Sequence, residues 1–149
     1  MESTNKAHII RLYPTKGQMV FFKKSCGVAR FSYNWALDNW NKKRNSGKSS
    51  SAYELVKELN SIKKEKFPWM QESGKCSSQY AIRNLQVAFN GFFNKVSKYP
   101  KFKKKGVKDS FVAIENKYSF KQKNKKIWIP RLGWVRCAEN LRFNGTVNN

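Results

Sequence analysis

The chain has 149 residues, with 31 Lys and Arg against nine Asp and Glu, a formal net charge of +22. Five Trp, six Tyr and eleven Phe exclude a disordered basic tail and imply a packed core. No run approaches ~20 consecutive apolar residues, and the polar start at Met1–Lys6 has no apolar stretch behind it, so neither a membrane span nor a signal peptide is expected.

Residues 7–13 (AHIIRLY) are rich in β-formers and end at Pro14, which reads as a strand. Thr15 stands three before Gln18, the spacing of a capping box, so a helix should begin there and stop at Gly27. A second helix is expected from Val28 to Arg44, with Val28, Phe31 and Trp35 on one stripe and Tyr33, Leu37 and Trp40 on another. Two helices joined by a short Gly turn would make a helix-turn-helix-like pair over 15–45. The polar loop 45–51 precedes a third helix, opened by Ser51 with Glu54 and running through Lys66, with Leu55, Leu59 and Ile62 inward. Phe67-Pro68-Trp69 ends it. A fourth helix is expected over 77–96, its apolar face made by Ile82, Leu85, Phe89, Phe92, Phe93 and Val96.

The character then changes. Residues 98–109 (KYPKFKKKGVKD) hold six Lys with Pro100 and Gly106 and read as a loop. Short strands are expected at 110–115, 118–121, 126–129, 134–137 and 141–143, separated by turns at Asn124, Pro130-Arg131 and Leu132-Gly133. The first strand should pair with the later ones. The fold expected is therefore α+β: a small, partly open β-barrel with an inserted lobe of about four helices. Its parts would be 1–14 (first strand), 15–97 (helical lobe) and 98–149 (basic loop and remaining strands).

Chemistry is limited by composition. His8 is the single histidine and Asp38 and Asp109 are the two aspartates, while Glu54, Glu58 and Glu65 read as solvent-facing helix positions paired with Lys. A two-metal nuclease needs several convergent carboxylates, and no catalytic constellation is visible. Cys26, Cys76 and Cys137 form neither a zinc spacing nor a disulfide framework, and read as free thiols of a cytosolic protein. No cofactor or metal is implied.

Charge points to nucleic acid. Residues 98–149 carry 14 Lys and Arg against three acids, about twice the charge density of the rest. A membrane surface is disfavoured, because the Lys are not gathered on one amphipathic helix. Lys101, Lys103, Lys104, Lys105, Lys121, Lys123, Lys125 and Lys126 are candidate phosphate contacts, which position without reading sequence. Aromatics alternate with Lys in Tyr99-Pro100-Lys101-Phe102-Lys103 and in Tyr118-Ser119-Phe120-Lys121, as in proteins that stack unpaired bases. The stripe Lys75-Gln79-Arg83-Gln86-Asn90 is the candidate base reader, since Gln and Asn pair bidentately with adenine and Arg with guanine.

The order RLYPTKGQ (11–18), CGVARFSYNWAL (26–37), AIRNLQVAFNGFF (81–93), YPKFKKK (99–105) and WIPRLGWVR (128–136) resembles the N-terminal part of the TnpB, or OrfB-type, proteins of insertion sequences. That family comprises RNA-guided DNA nucleases similar to compact type V CRISPR effectors. The resemblance implies a wedge-like β-barrel split by a helical recognition lobe, which grips a guide RNA and reads a short DNA motif flanking the target. By the same resemblance Tyr53, Lys75 and Gln79, and less directly Asn116, would read that motif. Arg30, Tyr33, Asn34 and Trp35 belong to a motif of the family but read as lobe packing. Family members continue into a RuvC-like nuclease domain with an Asp-Glu-Asp triad and a four-Cys zinc element, and nothing in these residues matches either. The expectation is a binder of guide-type RNA and duplex DNA that does not cut on its own. Its rivals are a sequence-specific repressor acting through the first two helices, and one half of a nuclease completed by a separately encoded partner.

Overall fold

The computed structural model describes residues 2–113 and 120–147. In chain order these form β1 (Leu12–Tyr13), α1 (Lys16–Asn45), α2 (Ala52–Lys66), a 3-10 turn (Pro68–Glu72), α3 (Lys75–Phe93), β2 (Lys121–Lys123), β3 (Lys126–Ile129) and β4 (Gly133–Cys137). The chain divides into two compact units, Met1–Val20 with Ile114–Asn149, and Phe21–Ala113.

In the first unit the four strands form an open antiparallel sheet of order β1-β4-β3-β2. The first strand does pair with a later one, but the sheet is open rather than a closed barrel: among the described residues β1 and β2 are its two edge strands. Pairing takes up only Leu12 and Tyr13 of the expected strand over 7–13. No strand forms over 110–113 or 141–143, while residues 114–119, with Asn116 and the expected strand ends there, lie outside the described residues. The β2–β3 hairpin turns through Asn124 and Lys125, both at positive φ (50° and 55°), a two-residue primed turn whose twist suits the flanking strands. His8, the single histidine, is hydrogen-bonded: its Nε2 lies 3.3 Å from Glu139 Oε1, and its Nδ1 accepts from the Arg142 amide at 3.4 Å.

The second unit is helical, with three α-helices among the described residues where four were expected. The expected break at Gly27 does not occur; α1 runs unbroken for 30 residues. Gly27 is not at positive φ, so it is not a left-handed terminator. Ser25, Val28, Ala29, Ser32, Tyr33, Ala36, Leu37 and Trp40 bury one continuous stripe through it. Burial of such side chains, at about 1.5–3 kcal/mol for a large one, outweighs the ~1 kcal/mol a mid-helix Gly costs. The real terminator is Gly47 (φ +75°). Its N–H donates to Arg44 O and the Lys48 N–H to Lys43 O, the two bonds of a Schellman motif. The start is a complete capping box: the Thr15 N–H donates to Gln18 Oε1 and the Gln18 N–H to Thr15 Oγ1.

Ser51 caps α2, its hydroxyl accepting from the Glu54 N–H. The stripe of α1 closes over Leu55 and Leu59 of α2 and Ile82, Leu85 and Phe89 of α3. Trp40 stacks on Phe89, ring centres 4.2 Å apart. Three buried hydroxyls cluster, the Ser73 oxygen lying 3.1 Å from that of Ser25 and 2.9 Å from that of Ser77, so that Ser73 donates to one and accepts from the other. Phe93 and Val96, assigned to the apolar face of α3, are instead exposed, because the helix ends at Phe93.

Candidate nucleic-acid interface

The basic segment 98–109 has no regular secondary structure, yet it is not free. It returns along α1 in the opposite direction and is fastened at successive points. The Tyr99 hydroxyl donates to Asn41 Oδ1, and its ring packs edge-on against Phe89 and Phe92. Four residues on, Asn34 meets the Lys103 backbone with both ends of its amide: Nδ2 donates to Lys103 O at 3.0 Å, and the Lys103 N–H donates to Oδ1 at 2.8 Å. Asp109 then bonds Arg30 Nη1 at 3.0 Å while its other oxygen accepts from the Gly106 N–H, closing the turn that contains Gly106 (φ +80°). The order Asn41, Asn34, Arg30 down α1 matches the order Tyr99, Lys103, Asp109 along the strap.

This strap explains the alternation of aromatics and lysines. Tyr99 faces inward, whereas Phe102 is 54% exposed. Lys101, Lys103, Lys104 and Lys105 are all exposed. The Lys103 ammonium lies 4.6 Å from the centre of the Tyr33 ring, a cation–π contact that fixes its direction. Arg30, Tyr33 and Asn34, assigned to lobe packing, thus fasten or orient the strap. Only the long-range contact reveals this; an Asn beside an apolar helical stripe carries no local signal for it. A cleft of about 140 Å³ lies beneath the strap, walled in part by Arg30, Asn84, Lys103 and Phe111. Burial, with Asp109 adding, pushes the Cys26 thiol at its edge up from its ordinary value, which suits an inert thiol.

The polar stripe lies along α3, which runs antiparallel to α2: the Ala52 N–H donates to Gln86 Oε1, while Lys63, at the other end of α2, feels the charge of Lys75. Lys63 is held below its ordinary pKa, first by burial and then by that neighbouring ammonium. Gln86 also donates to Asn90 Oδ1, so its amide is engaged in holding the start of α2. The Arg83 guanidinium lies 5.0 Å from the Tyr80 ring centre. Lys75 is exposed and Gln79 half-buried, one turn apart. Tyr53, 78% exposed, stands beside Ala52 at the Gln86 end. At 1.5 Å per residue, Lys75 and Gln86 are ~16 Å apart, so Tyr53 and Lys75 mark opposite ends of the helix pair.

In the first unit, Lys121, Lys123 and Lys126 are exposed strand residues and Lys125 is at the hairpin turn. Among the described residues no group of three or more His, Cys, Asp or Glu is placed to hold a metal ion, and no helix is long and apolar enough to cross a membrane.

Residues 1–49 match the family model described as "Helix-turn-helix domain", of the OrfB/IS605 type. In this structure that stretch is β1 and one uninterrupted helix, and the next helix begins only at Ala52. The chain is 28% identical to the Escherichia coli protein named "Putative RNA-guided DNA endonuclease InsQ", over 97% of this chain and 36% of that protein. It is 36% identical to a Streptomyces pristinaespiralis protein named "Putative RNA-guided DNA endonuclease", over 69% of this chain and 26% of that one. The chain thus spans about a third or less of the length of these relatives. By these matches, and by the order of motifs along its sequence, the chain is similar to the OrfB/TnpB-type proteins of insertion sequences.

Proposed function

We propose that this chain is the nucleic-acid-binding portion of an OrfB/TnpB-type protein. It holds guide-type RNA, contacts duplex DNA at a short flanking motif, and does not cleave either. The observation that supports this most is the strap: exposed lysines on a backbone fastened to α1 at three points, a ready-made row of phosphate contacts. The acids support binding without catalysis. Asp38, Glu58, Glu72, Asp109 and Glu139 are each engaged with a Lys or Arg rather than converging on one another. The cutting chemistry then belongs to a segment outside these residues, in the same or a separately encoded polypeptide, and the site of action is the cytosol. Repressor-like docking of residues 28–44 is less favoured, because that length of α1 turns its widest face into the core.

The DNA contact is assigned to Tyr53, Lys75 and Gln79. Their separation of ~16 Å corresponds to about five base pairs at 3.4 Å each. A Lys75→Ala, Gln79→Ala pair should therefore relax preference at one end of the motif, and Tyr53→Ala at the other, by roughly 1–3 kcal/mol per lost base contact. Selection from a randomised duplex library, with wild type and each variant, checks this. Equal loss on all sequences would reject the assignment. Sequencing the RNA that stays bound through a high-salt purification tests the guide: one discrete species supports it, and a salt-removable smear leaves charge alone.

A further inference from the structure

The register of the sheet sorts its residues by face. Leu12, Gln122, Ile127, Ile129, Val135 and Cys137 fall on one side, and all are buried or half-buried. The other side carries two cross-strand rows. One runs Tyr13, Arg136, Lys126, Lys123 from edge to edge; the next runs Trp134, Trp128, Lys121. No strand position on this face is acidic, and its two largest exposed rings are Trp134, at 45%, and Tyr13, at 42%. Neighbouring strands are ~4.8 Å apart, so each ring has a cation within reach. The Lys121 ammonium lies 4.8 Å from the Trp128 ring centre, and the Arg136 and Arg11 guanidinium carbons lie 5.1 and 5.8 Å from that of Tyr13.

We propose that this outer face is a stacking platform for a single-stranded nucleic acid. Unpaired bases lie on Trp134 and Tyr13, and Lys121, Lys123, Lys126 and Arg136 neutralise the adjoining phosphates. A face made only for backbone would need the cations and not the rings; a face made for an apolar partner would need the rings and not four cations. Aromatic planes interleaved with positive charge suit the one polymer that offers π-faces and phosphates alternately. The twist of the sheet and the Gln18 side chain, which donates to Trp134 O at 2.9 Å, hold the Trp134 backbone in place. The inference rests on the nucleic-acid reading above and adds to it a location and a mode: the bases themselves are engaged, by residues other than those assigned to the duplex.

The test is fluorescence anisotropy of the full chain with labelled 12-mers: oligouridine RNA, the matching deoxyuridine DNA, and an abasic DNA of the same length and charge. The proposal expects base-bearing strands to bind more tightly than the abasic one. Trp134→Ala, which leaves the charge unchanged, should weaken base-bearing strands about five- to hundredfold, the worth of one stacked base. It should leave abasic binding and the salt slope unaltered, and Trp134→Phe should recover most of the loss. Tyr13→Leu, at the sheet edge, provides the same comparison should Trp134→Ala fail to fold. Equal binding of abasic and base-bearing strands, or equal loss on both, overturns the platform while leaving phosphate binding intact. Trp134-dependent dimerisation in place of oligonucleotide binding overturns it in favour of a second copy on this face. Failure of the wild type to bind any strand at 0.1 M salt overturns both readings. The ratio of RNA to DNA affinity identifies which polymer the platform takes.

Discussion

Asn34 does what no single lysine of the strap can do. Its amide satisfies the backbone donor and acceptor of Lys103 together, and it adds no charge. A net hydrogen bond is worth about 0.5–1.5 kcal/mol, so Asn34→Leu should cost ~1–2 kcal/mol by urea titration. The larger sign is functional. The net charge stays +22, so a charge-only account expects unchanged RNA affinity, whereas a loosened strap must be ordered again on binding. We expect several-fold weaker binding and faster tryptic cleavage at Lys101–Lys105; unchanged affinity would show that the strap needs no fastening. Glu139 carries the pH dependence at this scale. The Arg142 guanidinium, bonding both its oxygens, and secondarily His8 hold its carboxyl below the ordinary value of 4.5. The folded value is depressed, so the unfolded chain takes up this proton first as pH falls. The contribution is complete above pH 4.5 and is lost as pH drops through the folded value. Urea midpoints for wild type and Glu139→Gln should therefore converge in acid and separate above about pH 5, with wild type the more stable.

Helix α1 shows how an element can be read correctly in its parts and wrongly as a whole. The capping box of Thr15 and Gln18 and both apolar stripes were legible, because they depend on residues three or four apart. The break at Gly27 was not settled by Gly27 itself, because a glycine ends a helix only where the chain needs a left-handed residue, and that need arises at Gly47. A Cβ on Gly27 would meet only Arg30 Nη2 at 3.8 Å, an ordinary contact. Gly27→Ala should therefore raise stability by up to ~1 kcal/mol, read as a higher urea midpoint. A loss of similar size would mean that the residue terminates a helix after all. The sheet divides the same way. Turns at Asn124 and Leu132-Gly133 and the strand 126–129 were visible as local patterns. The shortness of β1 was not, because it depends on where β4 gives out as a partner. Which lysines share a face with Trp134 was equally hidden, since register is a property of two strands and is written in neither alone. The strap is the extreme case: Tyr99, Lys103 and Asp109 meet partners 58–79 residues away, and composition marks them only as loop.

Across the whole molecule, the two compact units share the charge in proportion to their size. Residues 1–20 with 114–149 carry a net +8, and residues 21–113 carry +14. The higher density of the C-terminal third in sequence is redistributed by folding, because the strap belongs to the helical unit. A chain with 22 uncompensated positive charges repels itself, the more so at low salt, where the Debye length exceeds ~10 Å. Salt should then act in opposite directions on folding and on binding. Between 0.05 and 0.5 M the thermal midpoint of the free chain should rise by a few degrees as self-repulsion is screened. Affinity for duplex DNA should fall with a log–log slope of about −0.9 per phosphate contacted. Lys101→Ala, Lys104→Ala, Lys105→Ala, made together, should lessen both effects, reducing the slope by up to about 2.7 and raising the low-salt midpoint. A triple variant that flattened the slope without raising the midpoint would place these lysines far enough apart not to repel one another. Their clustering would then serve the ligand alone, at no cost to the fold.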